Sequence, residues 1–247
     1  MREKVVGILG GMGPEATIDL FAKIVEETHA KCDEDHLRII IDNNPKMPSR
    51  QDAIMKGTES PVAAMVATAE NLKKAGADFI IIGANTAHYF YDEVASQVDI
   101  PFLHIIEEAV KEMMRQVPGI KKVGVMATNA AVKIKLYDKC CAKFGIEVIS
   151  AEEEVQNKVH DTIFDFKYNG VTEKNVKDAT DCAEYFIENG AEALIMGCTE
   201  IPIILKGKSF TVPLIDPNDI IGKVAVAYNK DKVVQSNFEP PYFLFFR

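Results

Sequence analysis

The sequence predicts an α/β protein of two pseudo-symmetric lobes, each a parallel sheet flanked by helices, with the functional site in the cleft between them. Three features point to this class: short β-branched runs alternating with longer segments of helical period, an internal repeat, and clusters of small polar residues after matching strands. Such alternation marks parallel sheets covered on both faces, because each crossover helix packs back onto the sheet. With 247 residues, 47% hydrophobic and 26% charged, the chain can form one large domain or two smaller ones, each with its own core. This ordinary composition excludes disorder, collagen and a coiled coil.

In chain order, strands are expected at residues 4–9, 36–42, 79–83, 102–105, 122–127, 147–150, 193–197 and 211–215. Each is a short apolar run, as in the Phe79-Ile80-Ile81-Ile82 and Ala193-Leu194-Ile195-Met196 segments. Helices are expected at 14–31, 60–75, 106–116, 131–144 and 175–189, where the apolar spacing becomes helical. Pro14 suits the first helical turn, where its missing N–H is not needed. No Ser/Gly linker or low-complexity stretch divides the chain.

The repeat supplies the division instead. Ala75-Gly76-Ala77-Asp78-Phe79-Ile80-Ile81-Ile82-Gly83-Ala84-Asn85-Thr86 aligns with Asn189-Gly190-Ala191-Glu192-Ala193-Leu194-Ile195-Met196-Gly197-Cys198-Thr199-Glu200, at an offset of 114 (84 to 198). Gly7 and Gly124 match at an offset of 117, and Pro101 and Pro213 at 112. Parallel strands resemble one another, but the aligned Gly-Ala and Ile-Pro punctuation goes beyond that. The expected lobes are residues 1–103 plus 213–247, and residues 104–212.

Lys+Arg 28 against Asp+Glu 37 gives a formal charge of −9 and a pI near 5.2. A nucleic-acid binder needs a basic face, which this balance argues against. No apolar run approaches the roughly 20 residues that span a bilayer. The start runs directly into a strand-like segment, leaving no room for a signal peptide. The five cysteines (Cys32, Cys140, Cys141, Cys182 and Cys198) lack CxxC spacing, so neither a disulfide framework nor a metal site is indicated. A soluble, cytoplasmic protein without nucleic-acid or membrane partners is expected.

In open parallel sheets ligands bind beyond the carboxyl ends of the strands. With two facing lobes, the turns at 10–16, 83–87, 127–131 and 197–202 converge on one cleft, a cradle suited to a carboxylate or phosphate. The first turn, Gly10-Gly11-Met12-Gly13-Pro14-Glu15-Ala16-Thr17, fits a dinucleotide fingerprint only loosely. Asp42, the candidate ribose-binding acid, lies 31 residues beyond Gly11 rather than about 20. Cys198 follows an apolar strand, where a helix N-terminus can stabilise a thiolate; alone it reads equally well as a small buried hydrophobe. Cys140, Cys141 and Cys182 fall within helices and read as packing residues. The turn equivalent to that of Cys198 carries Ala84, followed by the donors Asn85 and Thr86.

These turns, Gly10-Gly11-Met12-Gly13-Pro14-Glu15-Ala16-Thr17, Asn85-Thr86-Ala87-His88 and Gly197-Cys198-Thr199-Glu200-Ile201-Pro202, resemble the aspartate racemase branch of the pyridoxal-phosphate-independent aspartate/glutamate racemase family across essentially the whole chain. Glu200 favours the aspartate branch, since glutamate racemases usually carry a histidine there. The resemblance implies interconversion of L- and D-aspartate, or of glutamate, by two cysteines on opposite lobes, with no metal or organic cofactor, in a homodimer. It implies that Asn85, Thr86, Thr128 and Thr199 hold the α-carboxylate and that Arg50 and Lys167 receive the side-chain carboxylate. Met12 would close the cleft, Glu200 would line it, and Cys198 would be one of the two acid–base thiols. His88 reads either as orienting its loop or as a packed histidine.

The departure is Ala84, which stands where the family has its first catalytic cysteine. A methyl group neither takes nor gives a proton, so the chain reads as a Cys-to-Ala variant that binds substrate and racemises poorly, or as a natural member with altered chemistry. The Thr128–Val132 turn also lacks the family's common Gly-Thr pair. Two other classes remain open: a single-cysteine enzyme like the arylmalonate decarboxylases, and a non-catalytic aspartate-binding protein. The aromatic tail from Val233 is expected to pack on its own chain or on a partner subunit.

Overall fold

The computed structural model describes residues 3–229. Among these, the strands form two all-parallel sheets. The first contains β1 (Val6–Gly10), β2 (Ile39–Asn43) and β3 (Phe79–Ile81) in the order β2-β1-β3. The second contains β4 (Lys122–Met126), β5 (Glu147–Val148), β6 (Ala193–Met196) and β7 (Leu214–Ile215) in the order β5-β4-β6-β7. A single parallel bridge from Ile80 to Phe102 occupies the fourth position of the first sheet.

The repeat extends to individual hydrogen bonds. Asp78 N–H donates to Val5 O at 2.8 Å, and Glu192 N–H to Lys122 O at 3.0 Å. The same acids accept in return, from Val5 N–H at 2.8 Å and Lys122 N–H at 2.9 Å. Ile80 N–H donates to Pro101 O at 2.8 Å, and Leu194 N–H to Pro213 O at 3.0 Å. Gly7 and Gly124 match for a steric reason: a Cβ would fall 3.0 Å from Ala77 Cβ at the first and 2.6 Å from Leu194 Cδ2 at the second.

Helices cover both faces. In the first half run α1 (Pro14–Thr28), α2 (Arg50–Lys56), α3 (Val62–Lys74) and α4 (Tyr91–Ala95), with a 3-10 segment at Asn85–Phe90. Then follow α5 (Ile105–Gln116), α6 (Asn129–Lys133), α7 (Asp138–Ala142), α8 (Glu153–Asn169), α9 (Glu173–Glu188), α10 (Glu200–Ile204) and α11 (Pro217–Asn229). One core joins the two sheets, with Val6, Ile8 and Phe79 on one side and Val123, Ile195 and Ile215 on the other. Helix α11 lies against α1 and α5 within this shared core. Lys23 secures the arrangement by bridging Asp19 at 2.7 Å and Asp216 at 2.8 Å. None of the described helices is long and apolar enough to cross a membrane.

Several expected elements differ. The helix expected over 131–144 is two helices, α6 and α7, broken where Lys135 adopts φ +54°. The expected strand 102–105 is the Phe102 bridge alone, because α5 already begins at Ile105, with His104 Nδ1 accepting from Glu107 N–H at 3.4 Å. The strand at 211–215 shortens to Leu214–Ile215. Helix α1 ends at Thr28, short of residue 31, with His29 as a left-handed cap. Helices α2, α4, α8, α10 and α11 were not expected. Over α8 only Val159, Thr162 and Ile163 are buried, so its apolar stripe is thin; α11 is apolar on most faces and shows little period. The aromatic tail from Val233 lies outside the described residues.

Candidate functional site

The turn after β1 is shaped by its glycines. Gly11 has φ +93°, and a Cβ there would lie 2.3 Å from the carbonyl carbon of Asn44. Only glycine allows both that conformation and that approach. Gly11 N–H donates to Thr17 Oγ1 at 2.9 Å, and Thr17 Oγ1 donates to Gly13 O at 3.3 Å, so the turn folds onto α1. Met12 is buried in an apolar cluster with Met47 and Ala87, against which Ala84 also packs. Asp42 accepts from Asn71 Nδ2 at 3.2 Å, a partner on α3 that accounts for it without a nucleotide.

After β3, Ala84 is extended and leads into the 3-10 segment bearing Asn85, Thr86 and His88. Ile105 N–H donates to His88 Nε2 at 3.3 Å, which leaves the ring proton on Nδ1 to donate to Ala84 O at 3.0 Å. Burial, aided by neighbouring His104, pushes the His88 pKa down to about 3. His88 is therefore a neutral brace for the Ala84 turn, as one of its two sequence readings has it. Asn85 is buried, and its Oδ1 accepts from the Tyr137 hydroxyl at 2.6 Å. Thr86 is partly buried on the same segment.

After β4, Thr128 opens α6 without capping it, and its buried Oγ1 has no hydrogen-bond partner among the described residues. Helix α8 holds this turn from outside. Gln156 Nε2 donates to Ala127 O at 3.0 Å and to Asn129 Oδ1 at 2.9 Å, while Asn129 N–H donates to His160 Nδ1 at 3.3 Å. Nothing in the sequence singles out Gln156 or Tyr137: Gln156 acts from α8, which was not expected, and Tyr137 from the break between α6 and α7.

After β6, the Cys198 thiol donates to Glu200 Oε2 at 2.8 Å, and Thr199 Oγ1 donates to the same oxygen at 3.2 Å. Lys167 Nζ pairs with Glu200 Oε1 at 3.3 Å and lies 5.3 Å from the Phe164 ring centroid. Burial and the adjacent Glu200 carboxylate push the Cys198 thiol well up, with Lys167 acting in the opposite sense. The resting group is a thiol, a proton donor. Arg50 opens α2, which borders α6 and the 3-10 segment. Its Nη1 donates to Pro48 O at 3.3 Å, no described carboxylate pairs with it, and desolvation lowers its pKa.

Cys198, Thr199, Glu200 and Lys167 thus form one contact cluster, and Met12, Ala84 and Asn85 lie around the other strand end. Tyr137 links the two halves. Thr128 stands on the α8-braced turn, and Arg50 shares no hydrogen bond or ion pair with either group among the described residues. A surface groove lined by Ser96, Gln97, Asp99 and Pro101 precedes the Phe102 bridge, away from these turns.

A family model described as Asp/Glu/Hydantoin racemase matches residues 9–225. The chain belongs to the Asp/Glu/hydantoin racemase family. Similar proteins include the broad specificity amino-acid racemase RacX of Bacillus subtilis, 29% identical over 228 residues, covering 90% of this chain and 97% of that one. Among solved structures, an aspartate racemase of Picrophilus torridus is 30% identical with a TM-score of 0.81, covering 92% of this chain and 94% of that chain. An aspartate racemase homologue from Pyrococcus horikoshii is 25% identical with a TM-score of 0.76, covering 92% of this chain and 100% of that chain. The racemase-family resemblance and the two-sheet α/β fold read from the sequence therefore hold.

Proposed function

We propose that the chain binds aspartate, or glutamate, between its two sheets and that Cys198 moves the α-proton on one face, without metal or organic cofactor. The observation that carries this reading is the equivalence of the two strand ends. Ala84 and Cys198 follow β3 and β6, whose flanking hydrogen bonds match pair by pair. Racemisation needs a base on one face of the α-carbon and an acid on the other. Cys198 supplies one. Ala84, at the family's first cysteine position, supplies neither.

Asn85, Thr86, Thr128 and Thr199 take the α-carboxylate in this reading, and the unpartnered Thr128 hydroxyl supports it. Arg50 and Lys167 take the side-chain carboxylate; Arg50 lacks a described acid partner, and an arriving carboxylate competes with Glu200 for Lys167. Met12 closes the cleft from the first loop. With Glu200 drawn away, the thiol loses its nearest negative neighbour and becomes easier to ionise. The Cys198 proton passes to water, the thiolate removes the α-proton, and the thiol so formed exchanges with solvent and returns a proton to the same face, giving exchange but little inversion. We read the chain further as a cytoplasmic homodimer with lobes 1–103 plus 213–247 and 104–212.

One observation favours a second reading. A protonated Cys198 opposite an inert methyl suits a decarboxylase like those acting on arylmalonates. There the bond to the leaving carboxylate breaks, carbon dioxide departs, and the electron pair left on the α-carbon takes the thiol proton. Incubation in heavy water with L-aspartate, D-aspartate and an arylmalonate separates the two. The first reading expects α-deuteration of one aspartate enantiomer and no carbon dioxide. Carbon dioxide release from the malonate without aspartate exchange overturns it.

A further inference from the structure

We propose that Tyr137 is a positioning residue that fixes the Asn85 amide with its N–H groups toward the cleft and ties the Ala84 turn to the Cys198 turn. Tyr137 lies 52 residues from Asn85, in the half of the chain that forms the other sheet, and is only 2% exposed. Its hydroxyl donates to Asn85 Oδ1 at 2.6 Å. A carboxamide has one acceptor oxygen and one donor nitrogen. Once the oxygen accepts from the phenol, the NH2 group is what remains for a ligand, and a carboxylate is what it can receive. Without the phenol the amide can turn over and present its oxygen, which repels a carboxylate. Burial pushes the Tyr137 hydroxyl well above its ordinary range, so it stays a donor.

The same side chain reaches the other turn. A Cβ on Gly197, the residue before Cys198, would lie 3.4 Å from Tyr137 Cε2, so the ring packs beneath that strand end. The local backbone serves this placement. The helical path breaks at Lys135, with φ +54°, and restarts at α7, whose Cys140 and Cys141 N–H groups donate to Tyr137 O at 3.0 and 2.9 Å. An unbroken helix would carry this residue to a different position.

The inference rests on the proposed function only in giving Asn85 a carboxylate to hold, and its test separates the two. Tyr137→Phe keeps the ring and removes the hydroxyl. Calorimetry gives the aspartate Kd for the unaltered chain, Tyr137→Phe, Asn85→Ala and the double variant. Tyr137→Phe is expected to weaken binding about tenfold, the scale of one well-placed hydrogen bond. The double variant should bind no more weakly than Asn85→Ala alone. A merely structural tyrosine would lower the melting temperature of both backgrounds and leave the two losses additive, which would overturn the proposal. Unchanged binding in Tyr137→Phe would do the same. If the unaltered chain binds no aspartate, the proposed function fails and the ligand-free 15N signal of the Asn85 side-chain amide decides alone. It should shift in Tyr137→Phe; an unmoved signal overturns the positioning role.

Discussion

Replacing Glu200 by glutamine isolates the electrostatics around Cys198. The carboxylate that accepts the thiol proton at 2.8 Å also pairs with Lys167 at 3.3 Å, so Glu200→Gln removes a negative charge and leaves a positive one nearby. For two like charges about 4 Å apart at an effective dielectric near 20, the repulsion is about 4 kcal/mol. That corresponds to about three pKa units. The thiolate and carboxylate can move apart, and Cys198 is only partly buried, so a fall of about one to two units is expected in the variant. Lys167→Gln acts in the opposite direction, because it removes the cation that favours the thiolate. The rate of iodoacetamide alkylation against pH, read by mass spectrometry of the Cys198 peptide, measures both. Burial also pushes up the Cys140, Cys141 and Cys182 thiols, so the Cys198 peptide is read separately from theirs, and exposed Cys32 is removed as Cys32→Ser. A midpoint that stays put or rises in Glu200→Gln would show that the Glu200 carboxylate does not hold the thiol protonated.

Two further outcomes follow from the turns. His88 is neutral and buried, with its pKa lowered to about 3, while the unfolded chain binds a proton near 6.5. Its contribution to stability is therefore complete above about pH 6.5 and declines by about 1.4 kcal/mol per pH unit below that, until about pH 3. Urea unfolding against pH should show this slope, and His88→Phe should flatten it while costing about 1–3 kcal/mol at neutral pH through the unpaired Ile105 N–H, the Ala84 carbonyl keeping the Ala87 N–H. Gly11→Ala places a methyl 2.3 Å from the Asn44 carbonyl carbon at φ +93°, and should lower stability by more than about 2 kcal/mol in a thermal melt, whereas Gly57→Ala, with open space around it, should cost less.

Much of the fold was legible because the repeat carries punctuation as well as hydrophobicity. Gly7 and Gly124 are small where another strand or helix crosses, and Pro101 and Pro213 present carbonyls to the same ladder position. Helix α11 was not legible: Ile220, Ile221, Val224, Ala225 and Val226 face neighbours on several sides, so no stripe stands out. Helix α8 failed for the opposite reason, since its polar residues grip the Thr128 turn rather than water. At the site, Cys198, Glu200 and Lys167 were named from motifs, but their mutual bonds depend on α8 delivering Lys167 to β6. Tyr137 was hidden because a buried hydroxyl looks like any aromatic core residue until its partner, 52 positions away, is placed.

The proposed site puts Ala84 and Cys198 on the two faces of one α-carbon, and Ala84→Cys restores the acid–base group that the first face lacks. The unaltered chain and this variant are incubated with L- and D-aspartate in heavy water, and chiral chromatography with mass spectrometry follows inversion and α-deuteration separately. Ala84→Cys is expected to invert both enantiomers with deuterium incorporation, while the unaltered chain deuterates one enantiomer at most and inverts neither appreciably. Bound aspartate with no α-deuteration in either protein would contradict it.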